Sequence, residues 1–308
     1  MPASLSTPNF PNAAIGLDRG SVSAIAVQRQ GKTGYGIKQA ATVKLAPGIL
    51  IPSFLNRNIA DVGELASCLQ DAVQNAGMAN QKRWSVALPS NTARTAILTL
   101  DAEPASKQET EEILDWKAEQ SFGAPAAELR ILKRRISPSR DGRPRYFAAA
   151  VKLTVIDEYE TIFESFGWKA GLILPKAIGE ANWLSGAAKN ADSLLISSQS
   201  DGFTALLLRG DEPYVVRSVT CLPDEIDDEV YRLLMFYNDR VSTDSGGYLE
   251  TMLLIGSDLV PERISAISTE ALGRSLRILD AEDVGFYVPD PSFNFDDIAA
   301  AAGLAALS

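Results

Sequence analysis

Histidine is missing altogether from this chain of 308 residues. Its absence excludes Ser-His-Asp and Cys-His catalysis and most zinc enzymes. Cysteine is scarce too: Cys68 and Cys221 lie far apart and read as ordinary buried thiols, which fits a reducing compartment. No apolar stretch approaches the roughly 20 residues that a membrane helix needs. Positive charge is in deficit, with 29 Lys and Arg against 39 Asp and Glu and a net charge of −10. A broad basic face is therefore not expected, and nucleic acid is not an expected partner. Met1 to Asn12 is rich in Pro, Ser and Asn, with no basic start and no apolar core. It is not a secretory signal and reads as a loose, disordered leader over residues 1–12.

Apolar residues make up 46% of the chain, ample for a sizeable core, and the length suits about two domains. The organising stretch is Gly16 to Ser23. Ala14 to Leu17 is a short apolar strand, and Ser23 to Val27 alternates small or polar with apolar, the period of a half-buried strand. Asp18 to Ser21 is then a hairpin turn in which Gly20 is expected to take a positive φ. Ser21 and Val22 would present backbone N–H groups to a phosphate, and Asp18 could hold a hydrated Mg²⁺ beside it. A plain hairpin explains the same residues.

A third strand follows over Tyr35 to Leu45. A helix capped by Asp61 with Glu64 carries Val62, Leu65, Leu69 and Val73, and Trp84 to Leu88 is a strand. A second unit runs from Thr95, with a helix capped by Ser106 and Glu109 and strands at Leu129–Ile136 and Arg145–Leu153. A last helix is capped by Thr154 and Asp157. The hairpin in this unit carries Lys133, Arg134, Arg135, Arg140, Arg143 and Arg145. That cluster reads either as a solvated tip or as a surface for an acidic partner or lipid headgroups.

A third unit repeats the first. It has strands at Ser193–Ser197, Phe203–Leu208 and Tyr214–Val219 and a helix from near Asp224. A polar loop covers Ser242–Gly247, and strands lie at Met252–Ile255 and Ser275–Leu279. The acidic run Asp224 to Glu229 reads as a charged helix start, with a metal site as the alternative. Trp116, Trp168 and Trp183 read as packing residues. An Ala-rich helix closes the chain over Asp296–Leu307. Two hairpin-led units predict an α/β fold with two halves around a cleft. The first half is 13–92 with 168–190 and 291–308, the second is 191–290, and 93–167 is an inserted β-α-β-β-α subdomain.

Ile15 to Ser23 resembles the first phosphate loop of actin-like ATPases, and is most similar to the PilM family of type IV pilus assembly, relatives of FtsA. Further segments keep the family's order: Leu45-Ala46-Pro47-Gly48, Ser85 to Pro89, Glu111 to Pro125, Ala148 to Val151, Tyr231 to Tyr237 and Ala301 to Ala305. The resemblance implies an actin-like duplicated (ribonuclease H-like) two-domain fold. It also implies nucleotide-binding positions at Asp18, Gly20, Ser21, Val22, Ser198, Ser200, Gly256 and Ser257, with Asp18 acting on a metal through Mg²⁺ water. Departures from the pattern weaken that site. Ile25 stands where the family has a phosphate-binding lysine. Ser198-Gln199-Ser200 stands where it has Asp-x-Gly, with Asp201-Gly202 shifted toward the hairpin tip. Gly256 is one glycine where the family has two. A lysine–phosphate contact contributes roughly 1.5–3 kcal/mol, which isoleucine cannot supply.

The resemblance thus implies a cytoplasmic adaptor at the inner face of the inner membrane, with a degraded nucleotide site and no catalytic residue. It would bind the short tail of a PilN-like inner-membrane protein in a groove between the first half and the inserted subdomain. No cofactor is required for that, ATP with Mg²⁺ stays open, the membrane is reached only through partners, and a homo-oligomer stays open. Two alternatives are a competent ATP-binding ATPase of the same system and a GspL-like type II secretion component. A GspL-like chain is expected to continue into a membrane helix, whereas this sequence stops at Ser308. Phe295–Leu307 has no Lys or Arg, unlike the basic amphipathic membrane helix of FtsA.

Overall fold

The structure, a computed structural model, describes residues 10–32, 34–185, 191–241 and 248–308. The chain opens with a meander of β1 (Ala13–Asp18), β2 (Ser21–Gln30) and β3 (Gly34–Lys44), followed by α1 (Val62–Asn75) and β4 (Arg83–Leu88). The next elements are β5 (Arg94–Thr99), α2 (Lys107–Phe122), β6 (Leu129–Ile136), β7 (Arg145–Lys152) and α3 (Leu153–Ser165). They lead to β8 (Lys169–Pro175) and α4 (Lys176–Ala181). The pattern then repeats: β9 (Asp192–Gln199), β10 (Gly202–Arg209), β11 (Glu212–Thr220), α5 (Ile226–Phe236), β12 (Leu249–Ile255), α6 (Pro261–Leu272) and β13 (Arg277–Leu279). β14 (Phe286–Tyr287) and α7 (Phe295–Ala305) close it.

The duplication is plain in the sheets. One has the order β14-β3-β2-β1-β4-β8 and the other β11-β10-β9-β12-β13. In both, the meander strands pair antiparallel, a fourth strand joins the first in parallel, and a fifth joins the fourth in parallel. Alternation along each strand sends its residues to two different cores. On one face of the first sheet, Ile15, Leu17, Val22 and Ala24 pack with α1 and α3. On the other, Ala14, Ile25 and Val27 meet α4, α7 and the inner face of the second sheet through Leu195, Leu206 and Leu253. The outer face of the second sheet packs on α5 and α6. The molecule is therefore a stack of helices, sheet, helices, sheet, helices, with α4 and α7 in the middle.

The inserted unit has its own core, in which Leu114, Ala118 and Phe122 of α2 cover Leu98, Tyr146 and Ala148 of the sheet β5-β7-β6. Its fifth element, α3, leads out of the unit and turns Val155, Ile156, Tyr159 and Phe163 into the core of the first half. Half of the basic cluster there, Lys133, Arg135 and Arg143, is paired within the unit, and Arg145 donates to the Tyr214 carbonyl of the second half. Lys133 pairs with Glu111 and Asp115, Arg130 with Glu160, Arg135 with Glu103 and Arg143 with Asp141. Burial pulls Lys133 down, but its two carboxylates outweigh that and hold the ammonium above its ordinary value.

Several expectations need correction. Pro11 and Asn12 are not loose, because their carbonyls accept from the Ser85 hydroxyl and the Val27 N–H. β14 pairs with β3, so the return to the first half begins before residue 291. The helix expected to be capped by Thr154 starts at Leu153, after Lys152, with no side-chain cap. Trp168 and Trp183 are buried, but Trp116 is exposed on α2. Both cysteines are free and half-exposed rather than buried. The polar loop expected at 242–247 lies outside the described residues, as do 1–9 and 186–190. In the acidic run, Glu225 accepts from the Leu222 N–H, Asp227 pairs with Arg263 and Glu229 with Arg232, which is the chemistry of a charged helix start.

Candidate functional site

The cleft between the halves is built where β1 turns into β2, β8 runs into α4, and α7 begins. A cavity of about 490 Å³ opens there, lined by Asp18, Ser21, Lys44, Lys176, Glu180 and Asp296 among others. The β1–β2 turn is two residues long, with Asp18 paired to Ser21. Gly20 does not adopt a left-handed φ, and a side chain there would meet nothing. The turn therefore does not require its glycine. Ser21 and Val22 sit between β1 and β3 in the sheet ladder, and the Val22 side chain is in the core. Their backbone serves the sheet, which corrects the picture of N–H groups open to a phosphate.

Asp18 has taken a different partner. The Lys176 Nζ lies 2.7 Å from Asp18 Oδ2, and the Arg19 N–H donates to Asp18 Oδ1 at 2.8 Å. Lys176 is the first residue of α4, carried to the cleft by the parallel strand β8 beside β4. Glu180 lies one turn further on and is fully buried. Its nearest cation is Lys176 Nζ at 3.9 Å, and neither carboxylate oxygen finds a hydrogen-bond partner among the described residues. Burial pulls the Lys176 ammonium down, but Glu180 and Asp18 outweigh it and keep it charged, above its ordinary value. Burial pushes the Glu180 carboxyl up, against the opposing pull of Lys176. Asp296 and Asp297, in the first turn of α7, are raised by burial as well. Four carboxylates and two lysines thus share this cleft.

The second half supplies no carboxylate at the matching place. Gln199 pairs with Gly202 across a two-residue turn, as Asp18 pairs with Ser21. The register therefore places Gln199 opposite Asp18 in the duplication, one residue beyond the alignment read from sequence. Its amide donates to the Ser218 hydroxyl at 3.4 Å and accepts from Thr204 at 3.3 Å. Asp201, at the hairpin tip, accepts from Asn91 Nδ2 at 2.5 Å across the cleft. Ser200 is exposed in the same turn. Ser198 and Gly256 are brought together. Gly256 has φ +130°, and a Cβ on it would collide with the Ser198 side chain, whose hydroxyl donates to Asp258 at 3.3 Å. The Gly256 N–H is directed at the Asp296 carboxylate, and Ser257 is exposed beside it. Ile25 is fully buried between the sheets, far from any role at a phosphate.

Lys176, Glu180, Asp296 and Asp297 were not singled out in the sequence. A signal was present: Lys176 and Glu180 are two charges, four apart, in the otherwise uncharged run from Leu172 to Leu184.

A second cavity of about 540 Å³ lies on the other side of Lys176. The first half contributes Phe54 and Leu55, the inserted unit Arg94 and Thr95, and the second half Gln199 and Thr220. The Phe54 loop is held by the buried Asn58, whose Oδ1 accepts from Thr92 at 2.7 Å and from Tyr159 at 3.1 Å. The Asn58 N–H in turn donates to Glu158.

Among the described residues, no group of His, Cys, Asp and Glu is arranged to hold a metal ion, and no helix is long and apolar enough to cross a membrane. No family model and no curated protein matches the sequence. Solved structures do match. The chain is similar to one in the PilM-PilN type IV pilus biogenesis complex, with a TM-score of 0.76 and 17% identity over 98% of this chain and 99% of that one. It is also similar to the cytoplasmic domain of EpsL, an inner membrane component of the type II secretion system of Vibrio cholerae. There the TM-score is 0.51 and the identity 11%, over 96% of this chain and 94% of that one. At such identities the likeness establishes the fold, and the fold is the duplicated actin-like one.

Proposed function

We propose that this chain is a PilM-like cytoplasmic adaptor that captures the extended tail of a PilN-like inner-membrane protein, and that its nucleotide cleft is degraded. The observation that carries this reading is the 540 Å³ cavity, bounded by the first half and the inserted unit, in which every charged group is already engaged. Arg94 donates to the Phe122 carbonyl at 2.6 Å, Asp201 accepts from Asn91, and Lys176 is held by Asp18. Such a lining offers shape, apolar contact and hydrogen bonds without a reactive group, which is what capture of an extended peptide uses. Degradation of the nucleotide cleft is supported by Lys176 on Asp18, by Gln199 in place of a second carboxylate, and by the excess of acid over base around the cleft. These residues do not fit a nucleotide–Mg²⁺ complex: the carboxylate that would order Mg²⁺ water is ion-paired, and the phosphates would face buried acids.

Titrating the labelled protein with the tail peptide should move NMR signals from both residues 13–92 and 93–167. Shifts confined to the second half, or none at all, overturn the reading. The competing reading, an ATP-binding relative, is favoured by one observation: Lys176 brings an ammonium to the cleft that Ile25 cannot supply. Calorimetry with ATP and Mg²⁺ separates the two.

A further inference from the structure

Two strand edges are left without a partner where the inserted unit meets the second half. Among the described residues, β5 pairs only with β7, and β11 pairs only with β10. The two strands lie side by side without pairing. The direction of their free backbone groups follows from the ladders. The Leu100 N–H donates to the Pro144 carbonyl, one step beyond the β5–β7 register. Antiparallel ladders alternate, so Leu98, Ala96 and Arg94 bond toward β7, while Thr95, Ile97 and Thr99 turn their N–H and C=O groups outward. In β11 the Cys221 N–H donates to the Asp201 carbonyl, one step beyond the Gly202–Thr220 pair. Val219 therefore faces β10, and Thr220 and Ser218 face outward.

The edges converge at one end. Ile97 and Val216 pack on the same small cluster with Phe147, and Arg145 Nη2 donates to the Tyr214 carbonyl at 2.6 Å. At the other end they open into the 540 Å³ cavity, and Thr95, Ser218 and Thr220 line it. Outward N–H and C=O groups at strand spacing complement a polypeptide backbone. Lys176 is ion-paired with Asp18, and Arg94 and Asp201 contribute one charge of each sign, so the lining carries no net charge to select a charged ligand. We infer that an uncharged, extended segment of the captured tail enters this wedge as an added strand. Its backbone bonds to Thr95 on one side and to Ser218 and Thr220 on the other, with apolar side chains against Phe54 and Leu55. The inference rests on the tail-capture reading and specifies its mode: recognition by strand addition between two subdomains.

The test uses the full chain and a synthetic peptide of the cytoplasmic tail of the PilN-like protein encoded by the same organism. Two further peptides carry N-methyl groups on alternate amides, one in each register. Binding of the parent peptide should slow amide exchange at Thr95, Ser218 and Thr220 at least tenfold. At least one methylated peptide should bind ten or more times more weakly. Thr95→Pro removes an outward N–H and spares the β7 ladder, and it should weaken the parent peptide by a similar factor. If the parent binds, yet both methylated peptides bind equally well and protection falls elsewhere, strand addition is wrong and tail capture stands. If no peptide binds, tail capture fails and the added strand fails with it.

Discussion

Gly303 of α7 rests on the carbonyl group of Gly179 in α4, so closely that a methyl group at Gly303 would strike the Gly179 backbone, and one at Gly179 would strike Ala300. The two helices cross at the centre of the molecule, between the two sheets, and their contact joins the halves. The side chain of Asn182 ties them again by donating to the Gly303 carbonyl at 3.0 Å.

Gly179→Ala should therefore overpack this crossing. The expected cost is about 1–3 kcal/mol or somewhat more, since backbone rather than a flexible side chain must move. Urea unfolding measures it. A variant as stable as the parent would show that the crossing is looser than described.

Lys176→Met should destabilise the protein by about 3 kcal/mol, the lower end for breaking a buried pair, because Asp18 remains partly exposed. The Asp18 side chain is 46% exposed and that of Lys176 only 11%. The same unfolding measurement applies. A neutral outcome would mean that the cost of burying the ammonium cancels what its ion pairs return.

Glu180→Gln should stabilise the protein near neutral pH by about 1–3 kcal/mol, because it removes a buried charge without a hydrogen bond. The folded state raises the Glu180 pKa above its ordinary 4.5, so it favours the protonated form. The contribution of Glu180 is fully present below that ordinary value and is lost as pH rises through the raised one. The gain in the variant should thus fade as pH falls through the raised value and be gone below the ordinary 4.5. Thermal melts across pH, with parent and variant compared, give the answer.

Arg145→Ala should loosen the inserted unit from the second half. Arg145 is 7% exposed, bonds the Tyr214 carbonyl and lies over the Tyr214 ring, which Arg209 covers from 3.7 Å. A loss of about 1–3 kcal/mol is expected from the unpaired carbonyl. Amide exchange should quicken along β7 and β11 before it does in β1 or β9. Uniform quickening would mean that the contact is part of the global core.

ATP with Mg²⁺ should bind at least about a hundredfold more weakly than to a site with both a phosphate lysine and a second carboxylate, since two charge-assisted contacts are missing. Calorimetry reads this directly. Micromolar binding abolished by Asp18→Ala would restore the nucleotide site.

The fold was legible in the sequence where local chemistry agreed with the final contacts. Asp61 and Ser106 cap α1 and α2 as expected, each accepting from an N–H three residues on. The hairpins of both halves follow from strand alternation and turn residues. The Lys176 cluster was harder to find because its members come from three distant segments and α4 is only six residues long, too short for a periodic signal. At Ser198–Ser200 the sequence alignment stands one residue short, because neither a carboxylate at the place of Asp18 nor a glycine at the place of Gly20 marks that turn in the sequence. The backbone register instead puts Asp201 where Gly20 stands. Gly20 shows why: that turn tolerates any residue, so composition could not locate its counterpart.

The central seat of α7 has a consequence for biosynthesis. Tyr35 donates to the carbonyl of Ala306 across 271 residues of chain, and Ala299, Ala302, Leu304 and Ala305 are buried between sheets made much earlier. A ribosome releases β1, β2 and β9 long before it releases the helix that covers their inner faces. Until then those faces stay open, and the nascent chain is a substrate for chaperones or for misassembly with its neighbours. The final fold is reached by a closing step, not by stacking finished domains in order.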